Sequence, residues 1–398
     1  RLNSSFKTNL EFTFKLNYVP MFLGKLLANK LSNMIEFTYE RRNFELEIIV
    51  GKTSGFCYGV NNAVTKAEEF VKKNKDKKVY CLGELVHNKQ VTSKLENEGL
   101  IFINNLSELS KADGASETEK NANMLKSNRE NNAAVIIRAH GKPKSIYEKL
   151  KQNNLEILDL TCPNVLAIHK LVEEHILKGY YVFLIGQKDH PEIIGTYGFC
   201  DGKCTVIENE DEIDLAFNEL IQKNMNKIFV VSQTTFSLEK FEKYVEIIKN
   251  KVNEFKGNHR KKVEQMEEID NQNYQLIELE IRNTICNATR IRQEETEKIS
   301  KQVDSMIIIG GKNSSNTRKL YDIAKKNCEN TVIIETYKEL EEESLNGTNS
   351  IQENNDGKDV NKKFLEKIKI SNKIGIMAGA STPQESIEEV IDFLKLEH

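Results

Sequence analysis

One pattern recurs at three widely separated places and restricts the fold more than any other feature. An aliphatic run is followed by a cysteine and then by a stretch of helical period: LEIIV (46–50) before Cys57, EILDLT (156–161) before Cys162, and LIELEI (276–281) before Cys286. Helices are expected over 60–73, from Cys162 to about Lys178, and over 291–302. After each comes a strand that ends in a polar loop: VYCLGELVHN, VFLIGQKDHPE and MIIIGGKNSSN. Later in each unit a further strand ends likewise, in AAVIIRAHG, KIFVVSQTT and KIGIMAGAS. Alternation of short buried strands with helices is the signature of a parallel α/β sheet. The chain therefore reads as one α/β unit written three times, with boundaries at 46–161, 162–284 and 285–395. Ligands of such sheets gather beyond the carboxyl ends of the strands, where all these loops lie.

Three stretches interrupt the repeat, at about 111–132, 253–273 and 342–363. They are rich in Asn, Lys, Glu and Ser and poor in aromatics, so they are expected to be flexible insertions. Residues 1–45 precede the first unit. Within 1–35, Arg1, Lys7, Lys15, Lys25 and Lys30 stand against Glu11, which suits the remnant of an organelle transit peptide or an ordinary disordered extension. The last three residues, 396–398, resemble the scar of a purification tag.

A chain of 398 residues with 39% hydrophobic content can fill two or three cores. Its net charge of −3 argues against a general nucleic-acid binder, and no apolar run approaches the roughly 18 residues of a membrane span. The cysteine count is seven, odd and scattered, which favours reduced thiols over a disulfide framework. Cys200-x3-Cys204 alone lies at close spacing, a weak metal signal without a second half.

Three strand-end cysteines at equivalent positions suggest thiolate ligands. Iron–sulfur clusters ordinarily take four; three would leave one iron free to act as a Lewis acid. Zinc, or three separately buried thiols, remain open on this evidence. His87, His140 and His190 end strands in the neighbouring loops, and the third unit offers Ser314, Ser315, Asn316 and Ser381 instead. Each of the latter precedes a helix, where free N–H groups favour phosphate, although Ser and Asn are also ordinary caps. Glu192 is a candidate proton donor and Thr234 shares its unit. No dinucleotide fingerprint or P-loop is present, so a reductive reaction at this site would draw its electrons from outside the chain.

The strings GFCYGV (55–60), ELVHN (84–88), AHG (139–141), DLTCP (159–163), HPEIIGT (190–196), QTT (233–235), IC (285–286), RQEE (292–295), GGKNSSNTRKL (310–320) and GAS (379–381) resemble, in order, the LytB/IspH family of 4-hydroxy-3-methylbut-2-enyl diphosphate reductases. The resemblance covers about 46–395. It implies a trefoil of three α/β domains, each with a small mainly parallel sheet, around a [4Fe–4S] cluster with three Cys ligands and one open iron. The ligands would be Cys57, Cys162 and Cys286. The allylic diphosphate would lie among His87, His140, His190, Ser314, Ser315, Asn316 and Ser381, with Glu192, Thr234 and His190 in the catalytic set. The resemblance also implies the last step of the methylerythritol phosphate pathway to isopentenyl and dimethylallyl diphosphate. A ferredoxin with ferredoxin-NADP reductase would be the electron donor, and the basic N-terminus resembles plastid (apicoplast) stromal versions in apicomplexan parasites. The sequence departs from the family at CNATRIRQ (286–293) and in a shorter C-terminal tail. Quinolinate synthase, also a three-cysteine cluster on three α/β units, and a non-catalytic metal-stabilised anion binder are the rival readings.

Overall fold

The computed structural model describes residues 46–113, 133–152, 155–265, 277–340, 364, 367, 368 and 370–397. The N-terminal extension, most of the insertion at 111–132 and all of that at 342–363 lie outside these residues. Twelve described strands form three four-stranded sheets, and every pairing between them is parallel.

The first sheet contains β2 (Lys78–Leu82), β3 (Leu100–Ile103), β4 (Ala133–Ile137) and β5 (Glu156–Asp159), in the order β3-β2-β4-β5. The second repeats that order with β6 (Tyr181–Ile185), β7 (Cys204–Ile207), β8 (Lys227–Ser232) and β9 (Glu278–Ile281). The third uses β10 (Ser305–Ile309), β11 (Thr331–Ile334) and β12 (Lys373–Ala378), and its fourth strand is β1 (Glu47–Val50). The chain leaves each inner pair in opposite directions, which opens a crevice at the carboxyl ends of β2/β4, β6/β8 and β10/β12. The loops bearing histidine, serine and threonine leave from these six ends.

The placement of β1 corrects the expected first boundary. Chain order assigns 46–50 to the first unit, yet Ile48 and Ile49 pair with Ile374 and Gly375 of the third sheet. The reason is cyclic: β5 and β9 each close one sheet and then deliver the cysteine that opens the next helix. A third such strand is needed for Cys57, and only the N-terminal one precedes it. Each cysteine therefore stands at a junction between two units.

The inner strands are buried on both faces, as parallel strands covered by helices must be. In β6, Tyr181, Phe183 and Ile185 enter one apolar cluster while Val182 and Leu184 enter another across the sheet. Two helices start earlier than their apolar periodicity implies, α1 at Tyr58–Lys73 and α8 at Asn287–Ser300, while α4 at Pro163–Leu177 starts where expected; each follows directly on a cysteine in the N-cap position. The insertion at 253–273 is also corrected, since α7 (Leu238–Gln265) runs through its first half. Lys and Glu are good helix formers, and Phe255 stacks on Phe217 with centroids 5.6 Å apart, which holds the extended turn down.

Candidate active site

The three junction cysteines are free thiols, partly buried, in matching backbone settings. The N–H of Cys57 donates to Ala380 O (3.2 Å), that of Cys162 to Ala139 O (2.9 Å) and that of Cys286 to Thr234 O (3.0 Å). Each acceptor lies in the loop after an inner strand, so the same bond is made three times. Burial raises the Cys162 and Cys286 thiols above the usual range, and the charges of Cys57 and its fellows add to the effect. Cys57 is felt electrostatically at both of the other thiols, so the three lie near one another. A Cβ on Gly59 would sit 2.7 Å from Cys162 Sγ, so glycine keeps the space around that sulfur open. Among the described residues the only three-fold group of His, Cys, Asp or Glu with ligand atoms all within 4.8 Å is a set of histidines. The sulfurs are thus spread more widely than around one zinc ion, whose Zn–S bonds are about 2.3 Å. Three cysteines free of disulfide bonds, at equivalent helix-opening junctions, supply the kind of thiolate ligands that an iron–sulfur cluster takes.

His87, His140 and His190 form that histidine set. Their ring centroids are separated by 4.6 Å (His87–His140), 5.4 Å (His140–His190) and 6.0 Å (His87–His190). Burial lowers the pKa of all three, taking His190 down to about 3, and mutual repulsion with His87 pushes the other two in the same direction. They are neutral rings. His190 caps α5 (Pro191–Tyr197), and its Nδ1 accepts from the Glu192 N–H at 3.2 Å. A neutral imidazole that accepts at Nδ1 carries its proton at Nε2, so the other ring nitrogen of His190 is a donor.

The third unit joins them through α9 (Ser315–Asn327). Ser314 is its N-cap and accepts from the Thr317 N–H at 3.4 Å. Ser315 Oγ receives Gln233 Nε2 at 3.2 Å, across the junction with the second unit. Ser381 Oγ donates to His87 O at 3.1 Å, and Gly311 lies so close to that carbonyl that a Cβ would stand 2.6 Å away. Asn316 is buried, 3% exposed, and neither its Oδ1 nor its Nδ2 has a partner. An unpartnered buried amide costs about 1–3 kcal/mol, a cost that a bound polar ligand would relieve.

Glu192 is 2% exposed. Thr234 donates to it twice, from N to Oε1 at 2.6 Å and from Oγ1 to Oε2 at 2.7 Å. Burial outweighs these bonds and raises the carboxyl to about 7. It can hold a proton at neutral pH, which an exposed glutamate cannot.

The fold brings each candidate cysteine ligand, anion-binding residue and proton-donating residue to the strand ends and cysteine junctions described here. Other polar residues at the site were not singled out from the sequence. Gln233 ties the second unit to the third by receiving the Gln187 N–H and donating to Thr235 and Ser315. Arg138 and Lys319 act electrostatically on His190 and disfavour its protonated form. QTT could have yielded Gln233; the two cations needed the fold, because nothing in their spacing links them to His190. Cys200 and Cys204, by contrast, are buried within an apolar cluster and belong to the core.

The chain matches the family described as LytB protein over residues 48–395. It is 37% identical over 351 residues to the 4-hydroxy-3-methylbut-2-enyl diphosphate reductase of Caldanaerobacter subterraneus subsp. tengcongensis, covering 88% of this chain and 97% of that one. To the enzyme of the same name from Aquifex aeolicus it is 36% identical over 348 residues, covering 87% and 94%. A solved structure of (E)-4-hydroxy-3-methyl-but-2-enyl diphosphate reductase, the terminal enzyme of the non-mevalonate pathway, is similar with a TM-score of 0.52 at 34% identity, covering 88% of this chain and 99% of that one. The E-1-hydroxy-2-methyl-but-2-enyl-4-diphosphate reductase from Plasmodium falciparum is similar with a TM-score of 0.64 at 28% identity, covering 88% and 87%. With both the motif order and the three-sheet fold in agreement, the chain belongs to the LytB family.

Proposed function

We propose that the chain removes the hydroxyl of (E)-4-hydroxy-3-methylbut-2-enyl diphosphate, yielding isopentenyl and dimethylallyl diphosphate. The balance is R–OH + 2 e⁻ + 2 H⁺ → R–H + H₂O. The observation that carries this reading is the meeting of a protonatable buried Glu192–Thr234 pair with neutral anion-binding groups, beside three converging thiols.

When bound to Cys57, Cys162 and Cys286, a [4Fe–4S] cluster supplies single electrons and a Lewis-acidic iron without a protein ligand. The diphosphate is held by the donor edges of His87, His140 and His190 and by Ser314, Ser315, Asn316 and Ser381. The N-terminus of α9 adds free N–H groups and the positive end of its dipole. Thr234 orients the substrate hydroxyl. Glu192 passes a proton through Thr234 Oγ1 to the departing oxygen, which leaves as water. The loops come from different units, so substrate can draw them together and exclude bulk water.

A ferredoxin, itself reduced by ferredoxin-NADP reductase, supplies the two electrons in this reading. A plastid location is supported by the basic residues of 1–35 and by the likeness to the Plasmodium falciparum enzyme. Among the described residues no helix is long and apolar enough to cross a membrane.

The test is anaerobic purification, iron and sulfide analysis, and assay with a dithionite-reduced viologen. Substrate-dependent dye oxidation with formation of both diphosphate products supports the reading. Iron-loaded protein that leaves the allylic diphosphate untouched overturns it.

A further inference from the structure

The Arg-Gln-Glu-Glu stretch at 292–295 lies in the helix that opens at Cys286, and three of its four side chains reach out of their own unit. Arg292 donates from Nε to Thr53 O at 2.8 Å and from Nη2 to Gly55 O at 2.9 Å. Glu295 accepts from the N–H groups of Lys52 (2.8 Å) and Thr53 (2.9 Å) and from Thr53 Oγ1 (2.5 Å). Gln293 accepts from the Leu238 N–H at 3.2 Å and donates to Phe236 O at 3.0 Å. Only Glu294 stays within its helix, paired with Arg290. One helix therefore grips the loop that delivers Cys57 and the turn that follows Thr234, while Cys286 is its own N-cap.

Arg292 is the unusual member. It is 3% exposed, and its Nη1 is buried with no partner. A buried guanidinium is costly unless its charge is answered. Glu295 is the carboxylate that acts on it, but both Glu295 oxygens already serve the 52–53 loop. The other negative groups acting on Arg292 are the thiolate forms of Cys57 and Cys286. A cluster held by those sulfurs would place their negative charge near the guanidinium.

We infer that Arg292 is a positioning residue for the cysteine-held cluster, fixing the Cys57 loop against the Cys286 helix and lending a positive charge that eases reduction. Net charge near an iron–sulfur centre is one of the levers on its potential, and partners just outside the ligands orient them. The inference rests on the proposed cluster, and its test separates the two. Wild-type protein reconstituted anaerobically is analysed for iron and sulfide. Absence of both sinks the cluster itself, before Arg292 is at issue.

With a cluster in hand, Arg292→Gln and Arg292→Lys are compared by midpoint potential, from a redox titration followed by electron paramagnetic resonance. Iron and sulfide retention after gel filtration and the melting temperature of the metal-free protein complete the comparison. Arg292→Gln is expected to shift the midpoint negative, and Arg292→Lys to leave it near wild type, because lysine keeps the charge. Both variants lose the two-carbonyl fork, so both should retain less iron and melt lower when metal-free. A wild-type midpoint in Arg292→Gln, or an equal negative shift in both variants, overturns the charge role. If Arg292→Gln takes up no cluster, Arg292→Lys decides alone: wild-type retention and melting temperature in that variant overturn the positioning role.

Discussion

The thiol side and the anion side of the site are built on the same repeated backbone but differ in how they use it. On the thiol side the three units are alike: a cysteine caps a helix, and its N–H bonds the loop beyond an inner strand. On the anion side they diverge, with His87 and His140 from the first unit, His190, Glu192 and Thr234 from the second, and Ser314, Ser315, Asn316 and Ser381 from the third. A ligand held at equivalent points can use repetition. A substrate with an anionic end and a reacting hydroxyl end cannot, and the proposed function assigns that chemistry to the variable loops.

If the thiol side is repeated in function as in form, its three members should fail together. Substituting Ser for Cys57, Cys162 or Cys286 is expected to abolish turnover and most iron binding, to a similar degree in each case. Iron and sulfide analysis checks this directly. A variant that retains the full cluster and activity would show that the three junctions are not equivalent.

The anion side should give unequal losses. Glu192→Gln is expected to keep the iron content and lose about 10²–10⁴-fold in turnover, the usual contribution of a positioned proton donor. Near-wild-type rates would remove Glu192 from the mechanism. The pH dependence has a definite sign. Burial raises the Glu192 carboxyl to about 7, so the protonated donor predominates below that pH and is lost as pH rises through it. Turnover should fall on the alkaline side with an apparent pKa near 7, and that limb should vanish in Glu192→Gln. The same shift makes folding less favourable as pH rises from 4.5 to about 7, because the unfolded chain ionises first.

Much of this arrangement is legible in the sequence, because strand-end cysteines and polar loops recur at intervals that a parallel α/β unit explains. Less legible are features that depend on partners far along the chain. The exchange of β1 into the third sheet requires Ile48 to meet Ile374, and no local pattern states that. The reach of Arg292 to Thr53 and Gly55 spans some 240 positions, so RQEE is visible as a string but not as a clasp. The helix through 253–265 was hidden by composition, since Lys and Glu suit both solvated coil and helix.

Asn316→Ala should have a smaller effect than loss of the proton donor. Its amide is buried and unpartnered without ligand, so truncation costs little in the free protein and removes a bond only when the diphosphate is bound. The expected result is a KM raised about tenfold, the equivalent of roughly 1.4 kcal/mol, with kcat less affected. A kcat loss with unchanged KM would place Asn316 with the reacting groups instead.

The smallest expected effect separates two roles that coincide at Ser314. As N-cap of α9 it accepts from the Thr317 N–H, and as a strand-end hydroxyl it is a candidate contact to the anion. Ser314→Ala removes both and should destabilise the protein by about 1 kcal/mol. Ser314→Asp restores the cap, since a carboxylate accepts from the same N–H and suits the positive end of the helix. It also puts a negative charge where the diphosphate would sit. If Ser314 faces the anion, the Asp variant should regain the wild-type melting temperature while its KM rises above that of the Ala variant. Recovery of both stability and KM would make Ser314 a cap alone, and leave the third unit's share of anion binding to Ser315, Asn316, Ser381 and the N-terminus of α9.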